Sequence, residues 1–106
     1  MKNFRVWFNH WFSSAYHIIN LLKEDDKINF IIIGSNTDNN CVYRHVCNEW
    51  SLEPIIENDS EYVEFCIDFC KKNKIDVFVP RRCMVSISKR LKDFDDIGVL
   101  VLVERD

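Results

Sequence analysis

Apolar positions along the chain fall into short continuous runs, separated by stretches with helical spacing. Arg5 to Phe8 predicts a short strand, and Asn29 to Ile33 a near-continuous apolar strand ended by Gly34. Such a run suits burial on both faces, as in a parallel sheet covered by helices. Between them, Ile18, Ile19, Leu21 and Leu22 form an apolar stripe that predicts a helix from Ala15 to Lys23, capped by Ser13 or Ser14. Ser35 to Asn40 reads as a polar loop and Cys41 to Val46 as a short helix. A brief strand is expected near Glu53-Pro54-Ile55, with Pro54 placing it at an edge or near its start. Ser60 predicts an N-cap for the clearest helix, Glu61 to Asn73, whose Val63, Cys66, Ile67 and Cys70 share one face. Lys71, Lys72 and Lys74 sit at its end, where cations suit the helix dipole. Asp76 to Val79 predicts a fourth strand stopped by Pro80, Met84 to Leu91 a short helix, and Gly98 to Val103 a fifth strand.

The alternation of strands and helices implies an α/β fold, a three-layer Rossmann-like sandwich with a mostly parallel sheet of about five strands. Right-handed crossovers follow from strand twist. Residues 1–106 make one domain, with 47% hydrophobic and 29% charged residues, which excludes disordered and fibrous classes. A formal charge of -3 argues against nucleic acid as a partner, because phosphate neutralisation dominates that binding. No apolar run approaches about 18 residues, so no membrane partner is expected, and the N-terminus does not read as a signal peptide. The odd count of 5 cysteines suits a reducing, cytoplasmic location. Cys66 and Cys70 read as buried core thiols. Cys41, His45 and Cys47 lack a matching distant pair, so no metal site is expected.

Ligands of open α/β sheets bind beyond the carboxyl ends of the strands. Asn9 to Ser14, Gly34 to Asp38, Pro80 to Cys83 and Glu104 to Asp106 meet there. The first segment contains no glycine, and Trp11 and Phe12 oppose the close backbone approach that a dinucleotide pyrophosphate needs. Ser13, at a helix start, reads chiefly as a cap. Asn36 and Asp38 follow the second strand, where an acidic group can hold a ribose hydroxyl, although such residues also simply make turns. Arg81 and Arg82 are adjacent cations able to clamp a carboxylate or phosphate, with a solvated pair or a salt bridge as the plainer reading. No paired carboxylates, Ser/His/Asp set or phosphate loop is present, so no catalytic residue is assigned.

Phe30-Ile31-Ile32-Ile33-Gly34, Glu61-Tyr62-Val63-Glu64-Phe65 and the run from Cys70 to Pro80 carry a resemblance. Over essentially its whole length the chain resembles the N-terminal, pre-ATP-grasp domain of ATP-grasp proteins related to the carbamoyl-phosphate synthase large subunit. That resemblance implies the substrate-side or structural domain of an ATP-dependent carboxylate–amine or carboxylate–thiol ligase, inactive alone. ATP and Mg2+ would act in the parent enzyme, with none held tightly by this part, and the partners would be the ATP-grasp domains that follow. Asn9, Ser13, Asn36, Asp38, Arg81 and Arg82 match the substrate-lining loops. The chain departs from the family at Asn9-His10-Trp11, where glycines commonly stand.

An apolar strand near the end of the chain, with no helix after it, suggests the N-terminal part of a longer protein. The alternative is a freestanding Rossmann-like interaction module that oligomerises through its last strand, without enzymatic activity. A receiver-type module would need an acidic pair after the first strand and an acceptor Asp after the third, and neither is found.

Overall fold

The computed structural model describes residues 3–9, 29–38 and 47–102. Five strands and three helices lie within these ranges: β1 (Asn3–Asn9), β2 (Asn29–Asn36), β3 (Glu49–Leu52), α1 (Asp59–Lys72), β4 (Val77–Pro80), α2 (Met84–Ser88), α3 (Leu91–Asp95) and β5 (Leu100–Val101). The sheet order is β3-β2-β1-β4-β5, and every pairing is parallel. The chain runs outward from β1 through β2 to β3, then returns to the other side of β1 for β4 and β5. The reversal leaves a crevice over the carboxyl ends of β1 and β4.

β1 is the centre of the sheet, and its alternation sorts the core. Trp7 faces one side and Val6 and Phe8 the other. On the first side the Trp7 ring stacks on Phe69 at 4.1 Å and on Phe78 at 4.3 Å between centroids. Tyr62, Cys66 and Cys70 from α1, Ile87 from α2 and Phe94 from α3 close round this stack. All three described helices therefore cover the Trp7 face. Val6, Phe8, Ile32 and Val79 form the opposite cluster. The helices expected over 15–23 and 41–46 fall outside the described residues, and with them the second helical layer.

The helix α1 begins at Asp59 because Asn58, not Ser60, is the N-cap: the Glu61 N–H donates to Asn58 Oδ1 at 3.0 Å. Its far end closes in a Schellman pattern, with the Ile75 N–H donating to the Cys70 carbonyl at 3.0 Å and Lys74 left-handed at φ 52°. Glycine usually takes that position, but here a lysine does.

Four other expectations move. The third strand lies at Glu49–Leu52, before Pro54, because β2 offers its ladder at Ile33–Asn36. Pro80 ends β4 from inside it, opposite Asn9. The expected helix from Met84 to Leu91 splits into α2 and α3. Arg90 leaves helical geometry at φ -125°, and its guanidinium bridges Glu64 on α1 and Asp93 on α3. Gly98, at φ 80°, belongs to the turn after α3 rather than to β5.

At the amino ends of the strands, Arg5 ties three segments. Its guanidinium donates to both oxygens of Glu49 at 2.7 and 2.9 Å and to the Asn73 carbonyl at 2.7 Å. The Arg5 N–H meets the Asp76 carboxylate at 2.9 Å. The bond to Glu49 raises Arg5 above its ordinary pKa and lowers Glu49 below the usual carboxylate value.

Candidate functional site at the carboxyl edge

A buried polar network lies beneath the crevice. Asn9 ends β1 inside the protein, where its amide needs partners on both sides. Its Oδ1 accepts the Arg81 N–H at 2.5 Å. Its Nδ2 donates to the Tyr62 hydroxyl at 3.0 Å and, more weakly, to the Arg82 carbonyl at 3.4 Å. This side chain clamps the end of β1 to the start of the loop after β4.

Glu53 is the hub on the other side. It follows β3, and its side chain is wholly buried. The Tyr62 hydroxyl donates to Oε1 at 2.7 Å and the Ser35 hydroxyl to Oε2 at 2.6 Å. Ser35 in turn accepts the Trp7 indole N–H at 2.8 Å. A buried carboxylate is tolerated only when it is hydrogen-bonded or paired. Here Arg82 Nη1 adds a charge 3.8 Å from Oε1. The same guanidinium lies 4.2 Å over the Tyr62 ring and donates to the Ile56 carbonyl at 2.9 Å. Burial, and after it the nearby charges of Cys66 and Glu53, raises the Tyr62 pKa far above its ordinary value. The phenol therefore stays protonated and donates to the carboxylate.

Of the six residues expected to line a substrate, Asn9, Arg81 and Arg82 are brought together. Asn9 and Arg81 are buried inside the clamp, and Arg82 forms its half-buried lid. Asn36 is the last residue of β2 and Asp38 follows two residues on, with the Asp38 N–H donating to Asn36 Oδ1 at 3.1 Å. The Asn36 carbonyl accepts the Glu53 N–H at 2.9 Å, which ties the end of β2 to the network's segment. Ser13 lies outside the described residues, as do Cys41 and His45. Among the described residues no group of three His, Cys, Asp or Glu side chains is placed to hold a metal.

Glu53, Tyr62, Ser35 and Trp7 are the members that the sequence reading missed. Tyr62 had a signal. It stands four residues before Cys66, on the buried face of α1. Glu53 had none, because a carboxylate beside a proline reads as solvent-facing.

Cys83 starts α2 in the left-handed region, at φ 56°. Its thiol lies 3.6 Å from Asp59. Burial and the Asp59 charge raise its pKa, which disfavours the nucleophilic thiolate. Among the described residues no helix is long and apolar enough to cross a membrane.

No family model matches the chain, and no curated protein matches it. Among solved structures it is similar to one described as the crystal structure of RSP in complex with beta-NADH. The likeness has a TM-score of 0.52 and 13% identity, covering 99% of this chain and 48% of the other. The chain thus spans about half the length of that protein. These findings correct the expected identity as an ATP-grasp, ATP-binding ligase domain of the carbamoyl-phosphate synthase type. Neither sequence comparison returns that family, and the similar structure is an NADH complex. At such low identity the likeness extends to the fold alone: the chain is a small α/β domain with a Rossmann-like, parallel five-stranded sheet.

Proposed function

We propose that this chain is a Rossmann-like interaction module that self-associates and carries out no chemistry of its own. One observation carries the reading: the Glu53, Tyr62, Ser35 and Asn9 side chains at the carboxyl edge satisfy one another. Glu53 receives Tyr62 and Ser35, and Asn9 joins Tyr62 to Arg81. Arg82 is committed to Ile56, the Tyr62 ring and Glu53. In an enzyme of this fold the corresponding groups face the ligand. Here they rigidify the edge, and binding falls to the outer surfaces.

Two measurements on the full chain test the reading. Light scattering across a concentration series is expected to show a mass above 12.7 kDa. Titration with NADH, and separately with ATP and Mg2+, is expected to give no saturable signal. A monomer at all concentrations, or saturable nucleotide binding that Arg82→Ala abolishes, would overturn it.

A further inference from the structure

Among the described residues the outer side of β5 pairs with no strand and carries an apolar rim. Leu100 and Leu102 are 59% and 50% exposed, and Leu91 on α3 is 43% exposed. Leu91, Lys92, Asp95, Val99, Leu100 and Val101 line a groove of about 380 Å³ between α3 and β5. Backbone alternation sets what the edge offers. The Leu100 and Leu102 N–H groups donate inward, to Asp76 and Phe78 of the β4 side, at 3.0 and 2.9 Å. The Val101 N–H and carbonyl therefore point away from the sheet. An exposed, apolar edge strand with outward ladder groups is a template for strand addition.

We infer that a second copy of this chain occupies this edge, its β5 antiparallel to the first across a two-fold axis at Val101. The inference rests on the self-association proposed above and names its surface. Three features of the edge suit a copy of itself. With Val101 facing Val101, the two residues exchange both backbone bonds in a hydrogen-bonded pair. Leu100 then lies directly opposite Leu102 of the other copy on one face, so each exposed leucine meets an apolar partner.

On the other face α3 meets α3, and the charges match. Lys92 and Asp95 both line the groove, and neither makes an ion pair among the described residues. A two-fold axis brings Lys92 of each copy toward Asp95 of the other, the self-complementarity an isologous contact requires. The chain as a whole carries -3, which opposes self-association, whereas this patch is neutral. The product is a continuous sheet of two copies, β3 at each outer edge.

Sedimentation equilibrium of the full chain and its variants tests this. Leu100→Lys, at an exposed position, is expected to weaken the dimer at least about tenfold, with an unchanged circular dichroism spectrum. Lys92→Asp is expected to weaken it as well, and Lys92→Asp with Asp95→Lys to restore it. Val101→Cys is expected to give an intermolecular disulfide on mild oxidation, since paired residues of this kind stand about 5.5 Å apart. A dimer unmoved by Leu100→Lys, or a charge swap that fails to restore it, overturns the inference but leaves the self-associating module standing. A wild-type chain that stays monomeric overturns both.

Discussion

The Tyr62 hydroxyl donates to Glu53 Oε1 at 2.7 Å, and both groups are buried. This bond joins α1 to the segment after β3. The Ser35 hydroxyl donates to the same carboxylate, and Arg82 stands 3.8 Å from it. Tyr62→Phe should cost about 1–3 kcal/mol, because it leaves a buried carboxylate short of a donor. Urea unfolding would measure this. Glu53→Gln combined with Tyr62→Phe should cost less than the sum of the two single changes, since both act on one network.

Asn9 holds the β1 and β4 ends together through the Arg81 N–H. Asn9→Ala should release that amide, so that its hydrogen exchange accelerates while the amides of α1 keep their protection. Equal acceleration in α1 would show global destabilisation instead.

Alkaline pH should unfold the protein early. Burial raises Cys70 to about 12 and, with the Glu53 charge, raises Cys66 above its ordinary 9.0. Tyr62 is raised from 10.0. Each folded-state value lies above the unfolded one, so the unfolded chain releases these protons first. Their contribution is whole below about pH 9 and is lost as the pH climbs through the folded values. The urea midpoint should be level near pH 8 and fall steadily above about pH 9. Cys70→Ala should make the fall shallower.

Acid acts through Glu49. The Arg5 bond lowers its pKa below 4.5, so the stabilisation is present above 4.5 and disappears as pH drops through the folded value. The pair is partly exposed, with Glu49 at 47%. Glu49→Gln should therefore cost under about 1 kcal/mol at neutral pH and flatten the acid limb of the stability profile.

Lys74→Gly should stabilise the chain. Lys74 occupies the left-handed position that ends α1, at φ 52°, which costs a side-chain-bearing residue roughly 1 kcal/mol. The gain is offset in part by the greater freedom of glycine in the unfolded chain, so a rise of a few tenths of a kcal/mol in thermal or urea unfolding is expected. Gly98→Ala should do the reverse. Its φ of 80° disfavours any side chain, although no atom lies within 4 Å of an added Cβ.

The sheet was legible in the sequence because parallel strands buried on both faces announce themselves as apolar runs, as at Asn29 to Ile33. The start of α1 was misplaced by two residues, because Asn58 and Ser60 are both good caps and only the fold chooses between them. The break at Arg90 was hidden for a different reason. Arg90 pairs there with Glu64, far away in sequence, and no local spacing reports such a partner. The candidate site was half legible. Asn9, Arg81 and Arg82 were found from their positions at strand ends. Their role was not, because the partners that occupy them, Glu53 and Tyr62, come from segments that only tertiary packing brings there. The family resemblance rested on element order, and that order is shared across Rossmann-like folds.

The central place of β1 also dictates an order of events in time. Val6 pairs with Ile32 on one side and with Val77 on the other. A chain emerging from the ribosome can unite β1 with β2 early. Trp7 meets Phe78 only once β4 has been synthesised, and until then the middle strand of the finished sheet is an edge. The nascent chain thus carries β1 as an open strand edge until the Val77–Pro80 segment arrives and covers it.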